Sequence, residues 1–406
     1  MKAVVAGGYD TENLGDHASL IVLKQELEKI DPNFDIVVLS RHPSPEFDVR
    51  FDVRSIKNLD HANKAESIGR LFNGFNQGDS SEHLRVIFEE LSSADLLIIG
   101  NGRLFVDISL DFMRGPLPYF ALLVTLARFM GIPVFIFSMT IVPIASEIGN
   151  VLLKYILANS TLITVREENS RDEVLKHGIR EGKVVVCPDA AFGLDVIGDI
   201  EIGRKIVGDE KINLLNDRMV AANFKYTNLN MNFPNEMYAQ CASFCDWLVD
   251  SLDVDVLMVP QMTYNVDNKL DDDRELYSLI HSRCLNKKRI HPLKGRYDVK
   301  ETLSIYHLCE MVLSMRRHGL IMASTQFLPI FAIVGEKNTS YVTDTLGIDR
   351  CSIKINDLSS EDSLKNIFES FRDRKHVSRL LMDRVPELRS KVGKYSSLLS
   401  HVVGLG

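Results

Sequence analysis

Short runs of β-branched and other apolar residues alternate with amphipathic segments through the first half of the chain. The runs predict buried strands and the segments between them predict helices. The predicted strands are Ala3–Ala6, Asp35–Leu39, Leu96–Gly100, Val134–Ser138, Leu162–Val165 and Val184–Cys187. The predicted helices are Ala18–Ile30, Ser81–Leu91, Leu117–Met130 and Glu147–Ala158. This alternation is typical of a parallel sheet covered by helices.

The same alternation returns after a less periodic segment, Gly193–Asp217, which we interpret as an inter-domain linker because it is rich in Gly, Asp and Glu. The strands predicted beyond it are Met219–Phe224, Val254–Pro260, Met311–Met315, Leu328–Val334 and Ser352–Ile355. Helices are predicted around Glu236–Leu252, Asp272–Leu285 and Val299–Cys309, followed by a charged helical tail from about Glu361 to Leu399.

These patterns predict an α/β protein of two Rossmann-like domains that face each other across a cleft. The N-terminal domain should span residues 1–195 and the C-terminal domain residues 196–360. The helical tail, 361–406, should pack back on the molecule. In such folds ligands bind at the carboxyl ends of the strands, so the cleft is the expected ligand site.

Composition narrows the possible partners. Of the 406 residues, 45% are hydrophobic and 25% charged, as in an ordinary globular protein. The net charge of −8 gives no general attraction to nucleic acid or to an anionic membrane, so an anion site needs a local cluster of cations. The six scattered cysteines show no zinc-site spacing, which predicts no metal and a reduced, cytoplasmic protein.

Two further sequence features bear on targeting. The N-terminus resembles a first strand rather than a signal peptide, so we expect a protein that is not exported. The apolar stretch from Pro118 to Ala145 is interrupted by Arg128 and by the Gly131-Ile132-Pro133 break. It therefore predicts a buried helix and strand rather than a transmembrane segment.

Two glycine-containing turns follow predicted strands and could bring backbone close to a ligand. The first, from Gly7 to His17, includes Gly8, Asn13, Gly15 and Asp16, with a helix expected to begin near Asp16. It lacks the spacing of a dinucleotide-binding loop. The second turn contains Gly100, Asn101, Gly102 and Arg103. The alternative in both cases is a simple turn, with Arg103 in solvent.

Charged residues end two strands of the first domain. Arg166 follows Leu162–Val165, where a guanidinium can bind a phosphate or carboxylate. Its alternative is an ion pair with Glu167 or Glu168. Asp189 ends the next strand, and it could cap a helix instead.

The most informative cluster is Arg316, Arg317 and His318, which leave an apolar strand and enter an apolar helix. Burying this positive charge requires an anion or an acidic partner, unless one arginine and the histidine are exposed. His318 could also transfer a proton.

Gln261 ends another strand of the second domain, and the acidic run Asp271–Asp273 after it is most simply a helix cap.

Six motifs, in this order, resemble the polysaccharide pyruvyl transferase family from about residue 4 to about residue 337. They are N-L-G-D, I-G-N-G, T-V-R-E-E-N-S, V-C-P-D, V-P-Q followed by D-D, and M-R-R-H-G-L-I-M-A with L-P-I. The resemblance implies a glycosyltransferase-B-like arrangement of the two domains, with the acceptor side and part of the donor site in residues 1–195 and the donor site in residues 196–360. It also implies transfer of the enolpyruvyl group of phosphoenolpyruvate to a sugar, forming a pyruvate ketal, with no cofactor besides this donor substrate.

The resemblance also implies roles for particular residues. The family's R-x-H motif falls on Arg316 and His318, and its strand-end arginine falls on Arg166. We expect both arginines to contact the donor, His318 to transfer a proton or contact phosphate, and Asp16 or Asp189 to orient the acceptor or take its hydroxyl proton. The other predicted substrate-binding residues are Arg317, Gly8, Asn13, Gly15, Asn101, Gly102, Arg103 and Gln261.

Two departures from the family pattern bear on the substrate. Gly100-Asn101-Gly102-Arg103 stands where the family often has three glycines, and Arg317 replaces a small hydrophobic residue. Either change could alter the acceptor or the donor.

The sequence leaves two other functions open, a nucleotide-sugar-dependent glycosyltransferase and a non-catalytic glycan- or anion-binding protein. It also leaves open whether the carbohydrate acceptor is lipid-linked, with the protein then at the inner membrane face, and whether the chain self-associates. No nucleic-acid partner is expected.

Overall fold

The computed structural model describes residues 1–58, 79–107, 116–226, 234–264, 269–335 and 337–405. The contacts between residues divide the chain into two compact units. The first unit consists of Met1–Thr11, Ser19–Ala190 and Ser390–Gly406, and the second of Glu12–Ala18 and Ala191–Arg389. After its first strand, the chain contributes Glu12–Ala18 to the second unit and then returns to the first unit.

The first unit is built on a seven-stranded sheet in which every pairing is parallel. Its strands are β1 (Lys2–Ala6), β2 (Asp35–Ser40), β3 (Arg54–Lys57), β4 (Leu96–Gly102), β5 (Val134–Met139), β6 (Leu162–Val165) and β7 (Val184–Val186), in the order β3-β2-β1-β4-β5-β6-β7. The central strands are apolar and almost completely buried, as expected of strands covered on both faces. The order reverses between β1 and β4, where such sheets bind ligands.

Among the residues that the structure describes, seven helices accompany this sheet, and the first turn of the first helix belongs to the second unit. They are α1 (Leu14–Glu28), α2 (Pro45–Phe51), α3 (Asp79–Ser92), α4 (Pro116–Phe129), α5 (Glu147–Asn159), α6 (Glu168–Lys176) and, near the C-terminus, α15 (Lys394–Val402). Helix α15 packs on the central strand β5 through Tyr395, which is fully buried. The ring centroid of Tyr395 lies 4.8 Å from that of Phe137 and 6.5 Å from that of Phe135. The end of the chain thus completes the core of the first unit.

The second unit repeats the design with six parallel strands. They are β8 (Met219–Asn223), β9 (Asp255–Met258), β10 (Ile290–Pro292), β11 (Met311–Ser314), β12 (Ile330–Val334) and β13 (Ser352–Lys354), in the order β10-β9-β8-β11-β12-β13. Its helices are α7 (Ile200–Asp209), α8 (Pro234–Leu252), α9 (Asp273–Arg283), α10 (Val299–Tyr306), α11 (Arg317–Thr325), α12 (Lys337–Leu346), α13 (Glu361–Arg372) and α14 (Arg374–Val392). This is the Rossmann order of strands.

The predicted α/β class with two Rossmann-like domains is confirmed. The interpretation of Gly193–Asp217 as a linker was wrong, because this segment contains helix α7. Gly203 of α7 lies so close to the Ser304 carbonyl of α10 that no side chain would fit between them. Helix α7 is amphipathic, with Gly203 and Val207 buried and Glu201, Arg204 and Lys205 exposed, and the Gly, Asp and Glu content of the segment was mistaken for that of a linker.

Two strands were not predicted, β3 and β10. Both are short and lie at an edge of their sheet, and each contains polar residues or proline. Edge strands contact the core on fewer sides and so have a weaker apolar pattern. Among the helices of the described part of the chain, none has the length and apolar character needed to cross a membrane.

Candidate functional site

Arg316 stands between strand β11 and helix α11, at the carboxyl end of the strand. It occupies the N-cap position of α11, which has no side-chain cap hydrogen bond. The Ser314 hydroxyl accepts a hydrogen bond from the Arg316 N–H at 2.9 Å and donates to the Arg316 carbonyl at 2.9 Å, which fixes the turn. Arg316 therefore lies at a helix N-terminus, where the helix dipole favours an anion.

The guanidinium of Arg316 is paired with the buried carboxylate of Asp273. Arg316 Nη2 donates to Asp273 Oδ1, with Arg316 11% exposed and Asp273 not exposed at all. Burial alone would lower the pKa of Arg316, but the charge and the hydrogen bond of Asp273 outweigh it and raise that pKa, so the guanidinium stays protonated. Asp273 thus provides the acidic partner that the buried cation requires.

The second oxygen of Asp273 holds the loop that follows strand β9. Oδ2 accepts hydrogen bonds from the main-chain N–H groups of Gln261 at 2.9 Å and Met262 at 3.0 Å. A single buried carboxylate therefore fixes both the arginine and this loop. Asp273 begins α9, whereas its neighbour Asp272 caps the helix by accepting from the Arg274 N–H. The predicted capping role is confirmed for Asp272 only.

A buried polar network lies beneath the N-terminus of α11. The Gln261 side-chain amide donates to the Tyr306 hydroxyl, which donates to Asn223 Oδ1 at 3.0 Å. Burial raises the pKa of Tyr306, so this hydroxyl stays protonated and able to donate. A side-chain carbon at Gly319 would lie 2.5 Å from Gln261 Nε2. Gln261, which is 2% exposed, therefore supports the helix from below.

The N-L-G-D segment, part of the second unit, pairs with the same loop. Leu14 N–H donates to the Gln261 carbonyl at 3.0 Å, and Thr263 N–H donates to the Glu12 carbonyl at 3.1 Å. Asn13 and Met262 form an antiparallel bridge between these two hydrogen bonds. Because of this pairing, the segment has a fixed position within the second unit.

The same segment brings Gly15 against His318. A side-chain carbon built on Gly15 would lie 2.6 Å from His318 Cε1 and nearer still to Nδ1 and Cγ. The first turn of α1 and the first turn of α11 thus meet at a glycine and an imidazole. Asp16 lies in the same first turn of α1 and is half-buried. The structure therefore brings together Asn13, Gly15, Gln261, Arg316 and His318, as well as Asp16 at their edge.

Arg317, the departure from the family pattern, lies against an aromatic ring. Its Cζ atom is 4.6 Å from the centroid of the Tyr341 ring in α12, a cation–π contact. Arg317 is half-buried. The contact holds the Arg317 guanidinium against Tyr341, a cation that a small hydrophobic residue would not supply.

In the first unit, Arg166 and Asp189 form a second buried ion pair. Their Nη1 and Oδ2 atoms are 3.0 Å apart, with side-chain exposures of 3% and 0%. The Ser138 hydroxyl accepts hydrogen bonds from Arg166 Nε at 3.3 Å and from the Ala190 N–H at 3.1 Å. The partner of Arg166 is thus Asp189, and this pairing gives Asp189 a function other than helix capping.

The remaining predicted residues of the first unit lie at the carboxyl edge of the sheet. Gly8 lies in the turn after β1, but the second predicted turn was wrong, because Asn101 and Gly102 are the last residues of β4 and only Arg103 lies beyond it. The Gly8 carbonyl accepts from the Thr11 hydroxyl at 2.9 Å, and a side chain at Gly7 would collide with the Gly100 carbonyl. Asn101 is buried, Gly102 has a φ of +93°, and Arg103 is exposed. Exposure of Arg103 agrees with the alternative that it lies in solvent.

Sequence reasoning missed Asp273 as a partner of Arg316, and it did not consider Tyr306 or Asn223. The available signal for Asp273 was the need of the buried Arg316 for an acidic neighbour, but the sequence could not say which acid meets it. Groups of His, Cys, Asp and Glu that could hold a metal ion are not found in the described ranges.

A family model described as polysaccharide pyruvyl transferase matches residues 13–335. Among curated proteins, none matches the sequence significantly.

Solved structures show the fold. UDP-GlcNAc 2-epimerase from Neisseria meningitidis, bound to UDP-GlcNAc, is 11% identical, with a TM-score of 0.59 and coverage of 99% of both chains. The S. aureus MnaA–UDP co-structure is 11% identical, with a TM-score of 0.61 and coverage of 100% of this chain and 98% of the other. UDP-GlcNAc 2-epimerase from Methanocaldococcus jannaschii is 14% identical, with a TM-score of 0.57 and 92% coverage of each.

Proposed function

The chain belongs to the polysaccharide pyruvyl transferase family and is a transferase, and on that premise we propose that it moves the enolpyruvyl group of phosphoenolpyruvate onto a sugar. The product would be a pyruvate ketal, in which two hydroxyls of one sugar are bound to the same carbon. The donor carries a phosphate and a carboxylate, so its site needs fixed cations, and the acceptor site needs groups that bind hydroxyls.

The observation that carries the proposal is the state of the Arg316 guanidinium. Its Nη2 is bonded to Asp273, but its buried Nε finds no acceptor in the part of the chain that the structure describes. An unsatisfied N–H on a buried cation is costly, and an anionic oxygen is the group that would satisfy it most strongly. The N-terminus of α11 favours the same charge.

The proposed chemistry uses His318 as the proton donor. Protonation of the methylene carbon of phosphoenolpyruvate turns it into a methyl group and leaves an oxocarbenium ion at the neighbouring carbon. One sugar hydroxyl adds to that carbon and releases its proton. The bond to the phosphate oxygen then breaks, phosphate leaves, and the second hydroxyl adds and releases its proton. One of the two hydroxyl protons replaces the proton that His318 gave, and the other leaves with the phosphate.

The cations supply most of the stabilisation in this scheme. Arg316 would bind the donor's phosphate or carboxylate, and Arg166 would supply the second cation of the donor site. We propose Asp273 and Asp189 as positioning residues, because each is already bonded to one of these arginines. Asp189 is then less suited to take a proton from the acceptor, and Asp16 remains the proposed residue for that step.

The test compares ligands by thermal shift and then measures product. At a concentration of about 100 times Kd, a ligand raises the free energy of unfolding by about 2.7 kcal/mol. We expect phosphoenolpyruvate to give such a stabilisation with the wild type and little with Arg316→Ala. Arg204→Ala, which removes an exposed arginine of the second unit, is the control and should respond like the wild type.

Incubation with phosphoenolpyruvate and candidate glycans should release phosphate and give a ketal mass increase. Stabilisation by UDP-GlcNAc alone, the ligand of the Neisseria structure, would favour the nucleotide-sugar alternative. Stabilisation by phosphoenolpyruvate without phosphate release would favour a binding protein. An equal response of wild type and Arg316→Ala to every anion would contradict the site assignment.

A further inference from the structure

We infer that the first unit holds a binding site for sugar hydroxyls at the carboxyl ends of β1, β2 and β3, with Asp10 and Asn58 as its hydrogen-bond acceptors. The inference rests on the proposed function and names where its carbohydrate acceptor binds. Neither residue belongs to the sites described above. The observations that lead to it are two buried oxygen atoms that receive no hydrogen bond from any residue that the structure describes.

Asp10 follows β1 in the glycine-rich turn, and its side chain is only 2% exposed. Its Oδ2 accepts hydrogen bonds from the Arg41 N–H and from the Ser40 hydroxyl. Its Oδ1 is also buried, but no donor for it exists among the residues that the structure describes. A buried carboxylate oxygen without a donor has lost its hydration and gained nothing in return. Such an atom indicates that a donor beyond the described residues is required, and a bound ligand can supply one.

Asn58 follows β3 and shows the same feature. It is 4% exposed, its N–H donates to the Ser40 carbonyl at 2.8 Å, and its side-chain Oδ1 is buried with no donor in the described ranges. Ser40 contacts both residues, through its hydroxyl for Asp10 and through its carbonyl for Asn58. Two unsatisfied acceptors therefore flank one residue, at the edge of the sheet where α/β proteins bind ligands.

The charges around Asp10 decide what kind of donor fits. Arg41 Nε lies 3.7 Å from Asp10 Oδ2, and the Lys57 ammonium donates to the Arg41 carbonyl. Both cations repel a metal ion or an ammonium ligand, and Arg41 already balances the carboxylate charge. A neutral O–H donor meets no such repulsion. A sugar offers several hydroxyls within one rigid ring, which suits two acceptors held by the same serine.

The test measures sugar binding separately from catalysis. Saturation-transfer difference NMR would be used to titrate methyl α-D-glucopyranoside, methyl β-D-galactopyranoside and methyl α-D-mannopyranoside, each with and without phosphoenolpyruvate. The variants are Asp10→Asn, which places an amide donor at the acceptor position, and Asn58→Leu, which removes the acceptor. Asn58→Asp keeps an oxygen there. Asp52→Asn makes the same charge change as Asp10→Asn at a side chain that is 90% exposed.

We expect Asp10→Asn and Asn58→Leu each to weaken binding of the preferred glycoside by about tenfold or more. Asn58→Asp and Asp52→Asn should stay within about threefold of the wild type. All variants should keep the wild-type stabilisation by phosphoenolpyruvate, since the donor residues are untouched. If Asp10→Asn fails to fold, the comparison of Asn58→Leu with Asn58→Asp still tests the inference.

Equal glycoside affinity in wild type, Asp10→Asn and Asn58→Leu would overturn the inference. Binding of none of the three glycosides by the wild type, with or without phosphoenolpyruvate, would overturn it as well. The proposed function fails on a different measurement, the absence of phosphate release from phosphoenolpyruvate by the wild type. Glycoside binding that depends on Asp10 but comes without phosphate release would therefore support the sugar site and contradict the transferase chemistry proposed above.

Discussion

Replacing Gly15 with alanine tests whether the position of His318 matters for turnover. The new methyl carbon would lie 2.6 Å from His318 Cε1 and closer to two other ring atoms, whereas ordinary contacts of such a carbon begin at 3.4 Å. The imidazole would therefore have to move by roughly 1 Å or more, a misplacement that can reduce a rate by about 100-fold. No backbone strain is added, because Gly15 is helical and its φ is negative.

The assay is phosphate release from phosphoenolpyruvate in the presence of an acceptor, with the melting temperature of each variant measured in parallel. We expect Gly15→Ala to lose about 100-fold in kcat/KM while remaining folded. The matched control is Gly208→Ala, the same change in the second unit at a position with no atom within 4 Å of the new carbon. It should keep full activity and be neutral or slightly stabilising.

Wild-type activity in Gly15→Ala would refute the reasoning, since it would mean that His318 can shift without consequence. A loss of activity that is matched by unfolding would also refute it, because the effect would then be on stability. The useful outcome is a folded variant with low turnover.

Three further changes test other contacts. Asp273→Asn leaves the Arg316 charge buried without its counter-ion and should lower the free energy of unfolding by about 3 kcal/mol. A denaturant titration would measure this loss, and an unchanged unfolding midpoint would contradict the pairing. Tyr395→Ala should cost about 3–5 kcal/mol by emptying the core beside Phe137, measured by calorimetry, and a loss below 1 kcal/mol would mean that α15 contributes little.

The last of these concerns pH. Hydrogen bonds from Arg54 lower the pKa of Glu90 to about 2 from the usual 4.5. Because the folded carboxyl has the lower pKa, its contribution to stability is complete above about pH 4.5 and disappears as the pH falls towards 2. Glu90→Gln should therefore cost about 1 kcal/mol at pH 7 and much less near pH 2. Equal losses at both pH values, in urea titrations, would contradict this origin.

The fold could be predicted largely because the apolar pattern of a buried parallel strand lies within the strand's own residues. Leu162–Val165 was predicted with the bounds that the structure shows, since three apolar residues and the β-branched Thr164, all buried, form a strand pattern that can be recognised without its partner. The strand Arg54–Lys57 was missed because an edge strand is stabilised by pairing with β2, which the local pattern does not reveal. Helix α7 was missed although its amphipathic pattern is local, because the Gly, Asp and Glu content of Gly193–Asp217 was interpreted as that of a linker.

Individual residues of the site could be predicted from the sequence, but the contacts that they make with one another could not. That Arg316 needs a counter-charge follows from burial, but the choice of Asp273 depends on how α9 and α11 are placed in the folded unit. The same is true of Gly15, whose contact with His318 requires the first turn of α1 to belong to the second unit. The joint contact of one anion by Arg166 and Arg316 stays a prediction, and each arginine has an acidic partner in its own unit.

The dependence of the first unit on helix α15 has a consequence for protein synthesis. Domains usually fold in order as they leave the ribosome, the N-terminal one first. Here Phe135 and Phe137 of β5 lack their contact with Tyr395 until helix α15 has been synthesised. The core of the first unit is therefore completed only after the second unit has been made. A nascent chain stalled before Ser390 would present that apolar face to chaperones and proteases.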